Sequence, residues 1–220
     1  MIELNTFSIT ARCKKTGMLG VAVSTARPAV GSLVPYVKTG VGAIATQALV
    51  NPYYGIVGLR LLQSGLSANE VKDELLEEDT ESDRRQFAIV DINGETAAFT
   101  GENTVPWKGH LLGSQFVVAG NMLTGPETLQ AMFDTYAALE NESLPERLLA
   151  TLKSGQEAGG DKRGKQSAAL YVVHEEDYPL VDIRVDEHID PVTELMRVYE
   201  VCQTDLFPYT HNLLRRKGDS

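Results

Sequence analysis

Two well-separated hairpin signals constrain this chain more than any other feature. From Thr6 to Cys13 the residues alternate strictly. Phe7, Ile9, Ala11 and Cys13 fall on one face, and Thr6, Ser8, Thr10 and Arg12 on the other, the pattern of a half-buried strand. Lys14-Lys15-Thr16-Gly17 reads as a turn and Met18–Ala26 as the returning strand. The second signal is Gln86–Ile92, Asn93-Gly94, Glu95–Thr100, in which Asn-Gly supplies left-handed turn residues. Hairpins commit the chain to antiparallel sheet, and an antiparallel sheet must bury at least one face.

The intervening segments provide the cover. Gly31–Gly40 reads as a loop and Val41–Gln47 as a buried strand. Asn51-Pro52 opens a helix running to Gly65, with Asn as N-cap and Pro at the first helical position. Ser67-Ala68-Asn69-Glu70 is a capping box for the next helix, which ends in the acidic stretch Glu77–Asp83. A loop carrying Trp107 and His110 leads to a strand at Gln115–Ala119. Helices opened by Gly125-Pro126-Glu127 and Ser143-Leu144-Pro145-Glu146 follow, then strands Ser167–Val173 and Leu180–Val185 and a helix from Asp190-Pro191. Helix pairs inserted between strand groups predict a single α+β domain of sheets sandwiched by helices. The last dozen residues read as a tail or partner-contacting arm, with Phe207, Tyr209 and Leu213-Leu214 as its apolar points.

A chain of 220 residues is long enough for one sizeable core. Its net charge of −10 argues against nucleic acid or an anionic membrane as partner. Cys13 and Cys202, far apart in sequence, read as two reduced thiols. With no basic-then-apolar leader and no run of apolar residues able to span a bilayer, a cytoplasmic location is expected.

The densest chemical feature is Gly159-Gly160-Asp161-Lys162-Arg163-Gly164-Lys165-Gln166-Ser167. Gly159, Gly164 and Lys165 have the spacing of a phosphate-binding loop, but Gln166 stands where a Mg²⁺-binding hydroxyl is needed. The run also follows a helix and opens a strand, the reverse of a P-loop, so it reads as a site loop able to hold an anion or carboxylate rather than as a nucleotide site. The acidic stretches His174-Glu175-Glu176-Asp177 and Asp186-Glu187-His188-Ile189-Asp190 hold possible metal ligands, with solvated loops as the plainer reading.

Six motifs in order resemble one family: Thr6-Phe7-Ser8-Ile9, Leu19–Ser24, Val41–Ala48, Asn51-Pro52-Tyr53-Tyr54-Gly55, Gly120-Asn121-Met122-Leu123 and Gly160–Ala169. It is the prokaryotic domain-of-unknown-function family 1028, usually placed in the Ntn-hydrolase superfamily, and the resemblance covers residues 6–200. It implies a four-layer αββα sandwich, two antiparallel sheets between helical layers. It also implies an N-terminal nucleophile, Thr6, whose own α-amine is the general base; such an amine titrates near ~7.7–8 and is largely neutral at working pH. Many members begin Met-Thr-Phe-Ser, whereas here Met1–Asn5 precedes the threonine. The expected organisation is therefore an extension or propeptide (1–5), the domain (6–205) and a tail (206–220).

The resulting expectation is an amidohydrolase acting on a small amide, self-processed at Asn5–Thr6 and needing no metal or organic cofactor. Thr6, Asn121 and Asp161 are the catalytic candidates; Ser8, Ser24, Arg163, Gln166 and Ser167 are the substrate-binding ones. Ser8 shares the Thr6 face. The Gly120-Asn121 step offers a backbone N–H and an amide to an oxyanion. Asp161 can orient a cation, and Arg163 can grip a carboxylate bidentately. Asn51 is explained as an N-cap. The alternatives are an inactive Ntn-like protein that binds a small anionic ligand or serves in assembly, and a metal-dependent hydrolase using the acidic histidine loops. A homodimer or larger homo-oligomer is expected.

Overall fold

The computed structural model describes residues 3–210 and Leu213. Met1, Ile2 and Leu214, which belong to the extension and the arm, lie outside the described residues. Two antiparallel sheets are stacked between helical layers. The six-stranded sheet runs β11 (Val181–Val185), β10 (Ser167–Val173), β3 (Leu19–Thr25), β2 (Thr6–Arg12), β9 (Phe116–Gly120), β8 (Gly109–Gly113). The five-stranded sheet runs β1 (Glu3–Leu4), β5 (Gly42–Leu49), β6 (Arg85–Asp91), β7 (Thr96–Thr100), with β4 (Pro35–Lys38) also on β5.

Alternation along β2 decides which layer each side chain enters. Phe7, Ile9 and Ala11 pack outward under α3 (Glu127–Ala138), α4 (Leu144–Glu157) and α5 (Pro191–Asp205), against Met132, Leu148 and Leu195. On the far side, α1 (Pro52–Gln63) and α2 (Ala68–Glu77) cover Ile44, Phe87 and Ile89 of the five-stranded sheet. Between the sheets there are two apolar patches, one around Val21, Val23, Val37 and Ala43, the other around Ala88, Val90 and Val117. The interior faces Thr6, Ser8 and Thr10 are buried alongside them. A polar zone with Thr6, Ser8, Gln47, Gln86 and Asn121 is therefore buried alongside the two apolar patches, and the candidate site lies there.

Local chemistry accounts for most element ends. Asn51 accepts from the Tyr53 N–H, and the Ser67–Glu70 capping box closes in both directions. At the second hairpin only Gly94 is left-handed, at φ 88°, among its turn residues. Asp91 organises that turn by accepting the Asn93 and Glu95 N–H groups through its carboxylate, which differs from the expected Asn-Gly turn. The segment expected as a loop at Gly31–Gly40 contains β4, a short edge strand opened by Pro35, where proline is tolerated. His110, expected on a loop, sits in β8. Cys13 and Cys202 are free thiols. Among the described residues no helix is long and apolar enough to cross a membrane.

Candidate functional site

β1 and β2 are consecutive in the chain yet belong to different sheets. Leu4 pairs with Ala48 of β5, Thr6 pairs with Thr25 of β3, and Asn5 makes the crossing. The Asn5–Thr6 peptide bond is thus held in the gap between the sheets, with Asn5 and Thr6 both buried. The Asn5 carbonyl oxygen accepts from Thr25 Oγ1 at 2.6 Å and from Arg163 Nη2 at 2.9 Å. The Thr6 carbonyl accepts from the Asn121 N–H at 3.0 Å and Gln47 Nε2 at 3.4 Å. Thr6 Oγ1 donates to the Leu4 carbonyl at 2.7 Å. One hydroxyl and one guanidinium on a single carbonyl oxygen draw electron density from its carbon, as donors to a developing oxyanion do.

Arg163 is fixed from behind. Its Nε and Nη2 reach Asp161 Oδ1 and Oδ2 at 3.0 and 2.6 Å, a bidentate pair, and its own N–H reaches Oδ1 at 2.9 Å. The Asp161 side chain is fully buried and accepts a further bond from the Ala26 N–H at 3.3 Å. Gly159, at φ 121°, lets the loop press on Thr124, leaving no room for a Cβ. The backbone donors of this loop are consumed inside the molecule: the N–H groups of Gly160, Lys162 and Gly164 reach Gly155, Met122 and Asp161 carbonyls. Lys162 reaches the Pro106 carbonyl and Lys165 the Asp190 carboxylate. The loop therefore holds its own carboxylate and the Asn5 carbonyl, where the sequence suggested a cradle for an external anion.

A chain of buried amides continues from Thr6 across the sandwich. Ser8 Oγ donates to Gln47 Oε1 at 2.8 Å, Gln47 Nε2 to Gln86 Oε1 at 2.7 Å, and Asn121 Nδ2 to the same oxygen at 2.9 Å. Gln86 Nε2 lies 2.8 Å from Thr100 Oγ1, which contacts His110 Nδ1 at 2.8 Å. Burial holds the His110 pKa below its ordinary value, with Lys72 adding to the effect, so its neutral form is favoured. Two non-glycine residues flank the crossing in left-handed backbone, Ala48 at φ 66° and Met122 at φ 53°. Backbone strain of this kind gathers where a site over-determines the chain.

The structure brings Thr6, Ser8, Asn121, Asp161 and Arg163 into this one region. Ser24 pairs with Phe7 and so lies on the opposite face of β3, its hydroxyl buried without a partner among the described residues. Ser167 serves the neighbouring loop, donating to the Arg27 carbonyl and accepting the Val30 N–H. Gln166 contributes its backbone, to the Thr25 carbonyl and the His188 N–H. Thr25, Gln47 and Gln86 were not singled out from sequence, though strand parity pairs Thr25 with Thr6 once the hairpin register is drawn. Among the described residues no three His, Cys, Asp or Glu side chains converge as a ligand set.

The model of the Family of unknown function (DUF1028) matches residues 6–195. The chain belongs to this family. A crystal structure of a DUF1028 protein from Silicibacter pomeroyi shares 30% identity over 93% of this chain and 92% of its own, at TM-score 0.86. Its likeness extends the two-sheet, helix-flanked architecture to another DUF1028 member. Anbu (ancestral beta-subunit) from Yersinia bercovieri aligns over 97% of this chain and 100% of its own, loosely, at 11% identity and TM-score 0.38. No curated protein matches the chain.

Proposed function

We propose that this DUF1028 protein is an N-terminal-nucleophile hydrolase of small amides that frees its own nucleophile by cutting Asn5–Thr6. The observation that carries the reading is the doubly donated Asn5 carbonyl, directly before a threonine, with Arg163 locked by a buried Asp161. In the self-cleavage, Thr6 Oγ releases the Leu4 carbonyl, turns and attacks the Asn5 carbonyl carbon. The tetrahedral oxyanion rests on Thr25 and Arg163. The C–N bond breaks, the hydroxyl proton passes to the departing Thr6 nitrogen, and an ester joins Asn5 to Thr6 Oγ. Water then hydrolyses the ester to an Asn5 carboxylate and a free Thr6.

The liberated α-amine is the base for later turnovers. It takes the Oγ proton, the same donors hold the substrate oxyanion, and the proton passes on to the leaving amine; water, giving a proton to the same α-amine, then attacks the acyl ester, releasing the acid and restoring the Thr6 hydroxyl. Asn121 and Gln47 position Thr6 through its carbonyl, and Ser8 fixes Gln47. No metal or organic group is required by these steps.

A second reading is an inactive Ntn-like protein, favoured by the complete burial of Thr6 and by the bond its hydroxyl makes to Leu4. Intact-mass spectrometry of the full-length protein separates them. The hydrolase reading expects loss of Met1–Asn5 from the wild type and its retention in Thr6→Ala. Retention in both favours the inactive reading.

A further inference from the structure

We infer that Leu4 and Asn5 occupy the acyl-binding subsites of the mature enzyme, so that its substrates are extended, peptide-like amides whose acyl part ends in asparagine preceded by an apolar residue. The inference rests on the hydrolase reading and names the substrate for it. One atom, Thr6 Oγ, attacks both the leader and any later substrate, so both carbonyls must reach the same place. The two donors waiting there, Thr25 and Arg163, lie outside the leader and stay when it leaves.

The surroundings of Asn5 and Leu4 are built in the manner of subsites. Asn5 is only 3% exposed, and its Nδ2 donates to Met122 Sδ at 3.4 Å. Met122 is held in its left-handed turn by an N–H bond to the Val105 carbonyl and by the Lys162 N–H on its own carbonyl. A thioether accepts and cannot donate, so it suits the N–H of a carboxamide and offers nothing to the carboxylate of an aspartate. Leu4, also 3% exposed, enters the apolar patch of Val21, Val23, Val30 and Val37. Its backbone pairs with Ala48 of β5, and that of Glu3 with Leu49, as a short edge strand. Removing residues 1–5 leaves a strand edge, an apolar hole and a carboxamide slot in line with the nucleophile. Strand addition with side-chain pockets is an established way of reading an extended chain.

Apart from Leu4, every buried apolar residue of the three larger core clusters lies at Phe7 or beyond, and the family match begins at Thr6, so a chain starting at Thr6 retains the fold. Such a chain, released from an N-terminal fusion by a protease that cuts directly before Thr6, is titrated calorimetrically with acetyl-Ile-Glu-Leu-Asn. The expected result is binding that weakens at least tenfold when Leu or Asn of the peptide becomes Ala, or Asn becomes Asp. Uncut full-length Thr6→Ala protein, its slot filled, is expected to show no binding. Equal binding to both proteins, indifference to the peptide changes, or failure of the Thr6 chain to fold by circular dichroism overturns the inference.

Release of aminomethylcoumarin from acetyl-Leu-Asn-aminomethylcoumarin and from its Ala and Asp counterparts is followed in parallel. Selective binding without release of any coumarin keeps the subsites and removes the hydrolase reading. Release without preference for Leu-Asn keeps the hydrolase and removes the subsites.

Discussion

Arg163 carries a full charge into a partly buried position, and two oxygens of one carboxylate meet it there. Lysine at the same place would keep the charge but lose the planar fork that serves Asp161 and the Asn5 carbonyl together. Thr25 contributes through a single hydroxyl on that carbonyl. Thr25→Val keeps the shape and deletes the donor, so leader release is expected to slow by about 10²-fold, as when one oxyanion donor is removed elsewhere. A time course of intact mass after synthesis checks this, with a melting curve to show that the fold is kept. Sequence alone points to Ser24 and passes over Thr25, one residue of register away. The two neighbours point to opposite faces of β3, and only the pairing of Thr6 with Thr25 decides between them.

At the scale of elements, β8 brings His110 into the layer between the sheets, where Thr100 meets its Nδ1. Burial lowers the pKa of this histidine below 6.5, so the unfolded chain takes up the proton first as pH falls. The neutral ring therefore contributes fully above about pH 6.5 and loses its contribution as pH descends through the lower folded value. His110→Asn keeps a polar atom near Nδ1 without the titration. Between about pH 7 and pH 5 the wild type is expected to lose stability more steeply than this variant, by at most ~1.4 kcal/mol per pH unit, read from urea unfolding.

The long elements and their caps were legible because their signals are local: alternation in β2, the Ser67 box, Pro at the helix starts. β1 and β4 were not, being two and four residues long and defined by their partner on β5 rather than by any pattern of their own. Gln47 and Gln86 escaped for a related reason. Each sits beside another polar residue near the end of a largely apolar strand, and its use appears only when two sheets are laid face to face.

For the whole molecule, apolar side chains left outside the sandwich collect near its C-terminal helices. Val201 on the last turns of α5, Leu206 just after it, Tyr209 in α6 (Phe207–Thr210) and Leu213 beyond are exposed. A second copy covering them would satisfy the homodimer or larger homo-oligomer expected from sequence. Light scattering at working concentration is expected to give twice the 24.0 kDa chain mass, and Leu206→Glu to return it to the monomer. A monomeric wild type would leave the arm without that role.

The Asn5 carbonyl is gripped by residues from two remote stretches, at positions 25 and 163. A ribosome delivers the threonine almost at once and the arginine only when most of the message has been read. Until then only one of the two donors to that carbonyl exists. Under the proposed self-cleavage the cut would act as a birth certificate: a chain abandoned before position 163 would lack the guanidinium on the Asn5 carbonyl, and only a finished, folded one would hold both donors.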